Sequence, residues 1–303
     1  MRRTFRWLAT AAAAGITVAG AVACTSHAAP TVAAATLRAG PCGTTTTAPT
    51  YRHVIWIWFE NHDVMGSSSA PFFNSIASKC GLATNYHNVT HPSLPNYVAA
   101  TSGTASLEQL YSDCSPSDDC SSSAPSIFGQ GETWKAYEES MPSSCDPSNS
   151  GDYAVRHNPP AYYPALTTCS ANDVPYPQLA TDLASNALPA FSFITPNVID
   201  DMHDGTVAQG DTWLSVAVPA LLSSDAFTQR RSLLFVTWDE NDDSPGNEVA
   251  TLVIARDVPA GFTSQVPYNH YSLLRTIETA WGLAPLTAND AAATAMSDFF
   301  PGP

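Results

Sequence analysis

The chain has 303 residues, 44% of them hydrophobic, which suits one large α/β domain or two small ones and argues against extensive disorder. Its formal net charge is −15, so its surface repels nucleic acid and anionic membranes at long range. A phosphate ester would also be repelled, unless a bound divalent cation supplied a local positive centre.

The N-terminus reads as a signal peptide over residues 1–29. Three arginines among the first six residues precede an alanine-rich apolar stretch that ends in small residues at Ala21-Val22-Ala23. The arginine pair is a loose twin-Arg match. A lipid anchor at Cys24 is the alternative to simple secretion. No later segment is apolar for long enough to span a bilayer, so we expect a secreted protein without stable membrane insertion.

Residues 30–50 are rich in Ala, Thr and Pro, which is typical of a linker, and the catalytic domain is predicted over residues 51–303. Six cysteines remain after Cys24. An even number in an exported chain indicates three disulfides, although about 15 pairings are open. We predict the sequential pairing, which closes short loops: 42–80, 114–120 and 145–169.

The elements alternate along the chain. Apolar runs typical of buried strands occur at residues 54–59, 83–89, 190–194, 233–238 and 249–255. Helical patterns occur at residues 71–78, 94–102, 133–141, 176–185, 211–222 and 270–282. A long excursion over residues 142–175, pinned by two cysteines, is predicted as a rim over a pocket. This order predicts an α/β fold with a mostly parallel central sheet and helices on both faces.

Acidic and amide side chains directly follow the two strongest apolar runs. Glu60 and Asn61 end the first, and Asp239 and Glu240 end the one at 233–238. Ligands of a parallel sheet bind at the carboxyl ends of its strands. Oxygen ligands of this kind suit a divalent cation, whereas the alternative is a polar loop that only ends a strand.

Ser93 is the candidate nucleophile. It lies in His91-Pro92-Ser93-Leu94-Pro95-Asn96, where a helix should begin and unpaired backbone N–H groups favour an anion. The alternative is an ordinary N-cap serine. His91 and Asn96 flank Ser93 and are predicted to bind substrate. Asn96 would donate its amide to a phosphate oxygen, or would cap the turn.

Two further imidazoles complete the candidate set. His203 lies with Asp201 in the acidic run Asp200-Asp201-Met202-His203-Asp204, where it suits metal binding or proton transfer. His270 lies at a helix start and is a stronger candidate for the site as a second imidazole together with His203. We interpret His53, His87 and His157 as packing or surface residues.

The order of these clusters resembles the alkaline phosphatase-like superfamily. Within it, the sequence motifs are similar to those of the bacterial phosphoesterase family that includes secreted acid phosphatases and non-haemolytic phospholipases C. The resemblance covers about residues 53–285. It rests on the stretches HVIWIWFENH, HPSLPNYVAATSG, ITPNVIDDMHDG, GDTWL, LLFVTWDEND and NHYSLLRTIETAWGL.

The resemblance implies roles for these residues. Ser93 would become transiently phosphorylated, and metal ligands would come from Glu60, Asn61, Asp239 and Glu240. Asp201, His203 and His270 would form the second half of the site, as ligands of another ion or as acid–base groups.

The chain departs from the wider superfamily at two of these positions. The first ligand position carries Glu60-Asn61 where Asp is usual, and Glu240 stands where many relatives have His. This harder ligand set favours Ca²⁺, Mg²⁺ or Mn²⁺ over Zn²⁺.

These observations together predict a secreted, metal-dependent acid phosphatase that hydrolyses small phosphate monoesters, with phosphoinositides as a further substrate class. We expect a monomer with a small phosphorylated substrate and no nucleic-acid partner. The alternatives are a phosphodiesterase of phospholipase C type and a secreted binding protein with an inactive site. A serine esterase is disfavoured because no G-x-S-x-G elbow is present.

Overall fold

An eight-stranded sheet forms the centre of the structure, a computed structural model that describes residues 40–46 and 50–300. The predicted signal peptide and Cys24 lie outside these residues. The strands are β1 His53–Phe59, β2 Gly81–His87, β3 Trp134–Glu138, β4 Asp173–Pro175, β5 Phe191–Thr195, β6 Ser232–Trp238, β7 Glu248–Ile254 and β8 Thr263–Ser264.

Their order across the sheet is β4-β3-β5-β1-β6-β7-β2-β8. Strand β7 is antiparallel to its neighbours β6 and β2, and the other neighbouring pairs are parallel. Every residue of β1 and β6 is buried, as expected for central strands covered on both faces. The predicted mostly parallel sheet is confirmed.

The helices lie on both faces of this sheet. Successive side chains of a strand point to opposite faces. Trp58 contacts Tyr97 and His270, whereas Phe59 contacts Trp213. These partners belong to different helices, so each face is covered. The α-helices of the described residues are α1 Pro71–Ala77, α2 Ser93–Ser102, α3 Cys169–Asn172, α4 Pro177–Ala184, α5 Val207–Ser223, α6 Asp225–Thr228, α7 His270–Trp281 and α8 Ala288–Ala292.

The helix predicted over residues 133–141 is wrong, because Trp134–Glu138 forms strand β3 between β5 and β4. Lys135, Ala136 and Glu138 are acceptable in a helix, which accounts for the prediction. Local propensity was overridden here by pairing with β5 and by burial of the Trp134 and Tyr137 side chains.

The excursion over residues 142–175 does not form only a rim. It contains a short 3₁₀ helix, Val155–His157, and returns to the sheet as β4. His157 and Asn158 are 2% and 0% exposed. The Thr195 hydroxyl at the end of β5 donates to the His157 carbonyl oxygen at 3.2 Å. The segment therefore passes through the interior, next to the carboxyl ends of the strands.

Three disulfides confirm the predicted pairing: Cys42–Cys80, Cys114–Cys120 and Cys145–Cys169. The first fastens residues 40–46, part of the predicted linker, to the residue that precedes β2. Such bonds persist in oxidising compartments. Within the described part of the chain, no helix combines the length and apolar character needed to cross a membrane.

Replacing Cys145 and Cys169 together by Ser should lower the free energy of unfolding by about 3 kcal/mol, because this disulfide closes a loop that is long in sequence. Urea unfolding followed by tryptophan fluorescence measures the change. The matched control replaces Cys114 and Cys120, which are only 6 residues apart. Its loss should be smaller by about 1 kcal/mol, and a larger loss in the control would contradict the expectation.

Candidate active site

Backbone hydrogen bonds next to the ends of β1 and β6 bring three acidic residues together. Strands β1 and β6 are in parallel register, so Glu60 and Asp239 both directly follow paired residues. The Asp239 amide donates to the Phe59 carbonyl at 3.0 Å, and the Glu60 amide donates to the Asp201 carbonyl at 2.8 Å. All three acids are 0% exposed. The convergence predicted from their strand-end positions is therefore present.

Ser93 belongs to this cluster. Helix α2 begins at Ser93 itself, after Pro92, and the Ser93 hydroxyl makes no capping bond. It instead donates to Glu60 Oε2 at 2.9 Å. Asp113 supplies the cap by accepting from the Leu94 amide at 3.0 Å. The interpretation of Ser93 as an ordinary N-cap is wrong, because its hydroxyl points away from the helix and towards a buried carboxylate.

Two oxygens beside Ser93 have no hydrogen-bond partner although they are buried: Asn61 Oδ1 and Asp239 Oδ2. Asn61 is held by its own amide, which donates to Asp239 Oδ1 at 3.2 Å. Glu240 lies next to them at 7% exposure. Buried polar atoms are nearly always satisfied, so these two unpaired oxygens are candidate ligands for a hard cation.

The electrostatics point in the same direction. Burial first, and then the negative charges of Asp239 and Asp201, raise the pKa of Glu60 well above its usual value. Burial and Glu240 raise the pKa of Asp239 in the same way, and burial with Glu60 raises the pKa of Glu240 to about 9. Since none of the neighbours named is cationic, a bound divalent cation would relieve the repulsion.

The two predicted substrate-binding residues differ in their surroundings. Asn96 is 0% exposed, and its amide atoms bond to Thr90, the Pro92 carbonyl and Glu240. Asn96 therefore stabilises the turn that precedes α2, in agreement with the second of its two predicted roles, that of capping the turn. The His91 side chain is 37% exposed, with Nδ1 2.9 Å from Glu240 Oε2. It is therefore the more exposed of the two.

His157 is a site residue that the sequence interpretation missed. Its Nε2 lies 3.1 Å from Glu60 Oε1 and its Nδ1 lies 3.0 Å from Asp201 Oδ2. The Tyr97 ring stacks on it, and the Tyr97 hydroxyl donates to Glu60 Oε1 at 2.6 Å. His53 and His87, predicted as packing or surface residues, bond to the carbonyl oxygens of Pro189 and Gly246.

Burial lowers the pKa of His157 well below its usual value, and Arg156 acts in the same direction. A neutral imidazole donates from one nitrogen only. One of its two carboxylate contacts therefore lacks a proton from the ring. Ligand atoms of Glu60, His157 and His203 all lie within 4.8 Å of one another, which is a second arrangement that could hold a metal ion.

His203 is held between two charged residues. Its Nδ1 lies 2.7 Å from Asp204 Oδ1, and its Nε2 lies 3.0 Å from Arg156 Nη2. An arginine only donates, so His203 Nε2 accepts and Nδ1 carries the hydrogen bonded to Asp204. The side chain of Asp201 accepts from the His203 amide at 2.7 Å. Arg156 was not singled out from the sequence.

His270 lies beneath the cluster with both ring nitrogens bonded. Nε2 donates to the Asp239 carbonyl at 2.7 Å, which leaves Nδ1 to accept from the Tyr86 hydroxyl at 3.0 Å. Burial lowers the pKa of His270 to about 3, and Trp58 covers the ring. No ring nitrogen is free for a ligand or a leaving group, contrary to the predicted acid–base role.

The class of protein is an α/β fold with a central, mostly parallel sheet and with acids and a serine at its carboxyl edge, and this fold is similar to that of solved members of the alkaline phosphatase superfamily. A member of that superfamily from Vibrio parahaemolyticus superposes with a TM-score of 0.54 over 85% of this chain and 74% of its own, at 11% identity. Murine ectonucleotide pyrophosphatase/phosphodiesterase 5 superposes with a TM-score of 0.57 over 82% of this chain and 100% of its own, at 10% identity.

The chain belongs to the phosphoesterase family, whose model matches residues 55–284. It is 32% identical over 240 residues to the phosphatidylinositol-3-phosphatase of Mycobacterium tuberculosis, which is 78% of each chain. It is 29% identical over 256 residues to an acid phosphatase of Aspergillus fumigatus, which is 79% of this chain and 57% of that one. The chain therefore spans little more than half of the fungal enzyme.

Asp239→Asn should weaken the binding of divalent metal by about tenfold or more. The substitution removes the negative charge of the carboxylate whose Oδ2 is buried and unpaired. Titration calorimetry with Ca²⁺, Mg²⁺, Mn²⁺ and Zn²⁺ measures this. The exposed Asp118→Asn makes the same chemical change away from the site and should leave the affinity unchanged. Equal affinity of both variants would contradict a cation at Asp239.

Proposed function

We propose that this protein is a secreted, metal-dependent acid phosphatase that hydrolyses phosphate monoesters through a phosphoserine formed on Ser93. One observation carries the proposal. The Ser93 hydroxyl is directed at a buried carboxylate, next to buried oxygens that lack partners.

Glu60, Asn61, Asp239 and Glu240 would hold a divalent cation, which when bound lowers the pKa of a neighbouring hydroxyl and screens the charge of a phosphate. Their oxygen donors favour Ca²⁺, Mg²⁺ or Mn²⁺, and the two imidazoles of the second arrangement would suit Zn²⁺ equally well. The chemistry of the donors therefore fits a metal and leaves its identity and number to measurement.

The residues of the chain divide the reaction between them. Glu60 Oε2 holds the Ser93 hydroxyl in one direction and accepts its proton as the Ser93 oxygen attacks phosphorus in line with the leaving group. The ester P–O bond breaks, and the leaving oxygen takes its proton from solvent. The first turn of α2 favours the negative charge that develops. The partly exposed His91 reaches the incoming phosphate. His203, with Nδ1 fixed by Asp204, has the tautomer needed to take a proton from the water that cleaves the phosphoserine.

Small soluble monoesters are the substrate class that we favour. The negative charge of the chain opposes binding to an anionic bilayer. Similarity to a phosphatidylinositol-3-phosphatase makes phosphoinositides a second candidate. Similarity in fold to a phosphodiesterase keeps a diesterase as the rival activity. Three disulfides support export to an oxidising compartment.

Ser93→Ala should lower the kcat for p-nitrophenyl phosphate by about a thousandfold or more, because the variant lacks the attacking oxygen. Steady-state assays with the metal-loaded protein measure this. Ser78→Ala, an exposed serine after α1, is the matched control and should retain full turnover. Comparable rates for the two variants would exclude Ser93 as the nucleophile. Faster wild-type cleavage of bis-p-nitrophenyl phosphate than of the monoester would favour the diesterase.

His270→Gln should reduce stability and kcat without changing leaving-group preference, since His270 positions the Asp239 carbonyl and touches no substrate in this proposal. A proton donor matters most for poor leaving groups. The ratio of kcat/KM for p-nitrophenyl phosphate to that for glycerol phosphate should therefore stay at its wild-type value. A selective loss on glycerol phosphate would restore the acid role first predicted for His270.

A further inference from the structure

Arg156 is the side chain in this site whose position the proposed function leaves unexplained. It belongs to the 3₁₀ helix Val155–His157, is part-buried, and donates from Nη2 to His203 Nε2 at 3.0 Å. Within residues 40–46 and 50–300, no carboxylate forms an ion pair with it. A guanidinium without an anionic partner is unusual in a chain with 27 acidic and 12 basic residues.

The other basic residues of the described ranges have their neighbours elsewhere: Lys79 bonds to Ser75, Arg256 bonds to Thr44, and Arg231 acts on Tyr51 and Asp257. Lys135 pairs with Asp182, and Arg275 with Glu278. Arg52 and Arg230 act on His53 at the start of β1, at the end of the strand opposite the site. The principal electrostatic neighbours of Glu60, Asp239 and Glu240 include no Lys or Arg.

Arg156 is also connected to the candidate nucleophile through its neighbour in the chain. Short contacts link its neighbour His157 to Glu60, and Glu60 to the Ser93 hydroxyl. Asp113, which caps the helix at Leu94, has both Arg156 and His203 among its charged neighbours. Through Asp113, the guanidinium is an electrostatic neighbour of the first turn of α2, which begins at Ser93.

We propose that Arg156 is a phosphate-binding residue that exchanges partners, from His203 Nε2 in the free protein to the non-bridging oxygens of a bound phosphate. A neutral nitrogen acceptor is a weaker partner for a guanidinium than a phosphate dianion, which accepts two parallel N–H bonds. The exchange leaves His203 Nε2 unbonded, with its Nδ1 hydrogen still on Asp204. This inference rests on the proposed function for its place in catalysis, but phosphate binding can be tested without turnover.

The first test is calorimetric titration with inorganic phosphate. Arg156→Gln should weaken phosphate binding by about 10- to 100-fold, the range for a lost hydrogen-bonded charge. The phosphate affinity of Arg156→Lys should lie between those of Arg156→Gln and wild type, because an ammonium retains the charge but not the planar guanidinium geometry. Arg230→Gln, remote and exposed, should match wild type. Phosphate affinity unchanged in Arg156→Gln, or absent in wild type, would overturn the proposal.

The second test separates binding from a purely structural role. Nitrogen NMR of the histidines should show the His203 Nε2 resonance move when phosphate is added to wild type, since its hydrogen bond is lost. In Arg156→Gln that resonance should already be displaced and should not move further. A wild-type signal that is unaffected by saturating phosphate would show that Arg156 does not leave His203, and would overturn the exchange.

The kinetic consequence is an increase in KM for p-nitrophenyl phosphate in Arg156→Gln, partly restored in Arg156→Lys. The two proposals fail in different ways. Full turnover by Ser93→Ala would remove the phosphoserine mechanism, while calorimetry would still report whether Arg156 binds phosphate. A KM unchanged in Arg156→Gln, with Ser93→Ala inactive, would reject only the role of Arg156.

Discussion

The parallel pairing of β1 with its two neighbours is the constraint on which the site depends. It fixes Glu60 and Asp239 at the same level of the sheet, and the Glu60 amide bonds to the Asp201 carbonyl. Main-chain hydrogen bonds therefore hold three carboxylates at positions that their charges oppose. The buried core around β1 and β6 supplies the stability that keeps them there.

Glu60 connects the two halves of the cluster. One carboxylate oxygen accepts from Ser93, and the other accepts from Tyr97 and lies against His157. The Glu60 carboxylate is therefore the direct contact between the two halves. This arrangement places a candidate nucleophile and a candidate pair of imidazoles around one carboxylate.

Similar residues acquire different roles from their surroundings. His270 is enclosed and fully bonded, so it can only position the backbone. His157 is equally buried but faces carboxylates. His203 is partly open and stands between an acid and a guanidinium. Burial and hydrogen bonding thus distinguish a positioning residue, a candidate ligand and a candidate proton carrier.

The sequence by itself determined the two strands that directly precede Glu60 and Asp239, because long apolar runs followed by acids have few other structural solutions. It also pointed to Ser93, and the sequential disulfides followed from short spacing. The strand at Trp134–Glu138 could not be predicted from the sequence. Its residues are acceptable in a helix, and pairing with β5 makes them a strand.

Only the tertiary structure decided what the histidines and Arg156 do. His157 and Arg156 lie in a proline-rich excursion with no local signal for a site, and a disulfide and the Thr195 contact carry that segment into the interior. The sequence suggested His270 as an acid–base group, whereas in the fold both of its ring nitrogens are hydrogen-bonded. Donor and acceptor partners that are distant in the chain fix these roles, so no local pattern encodes them.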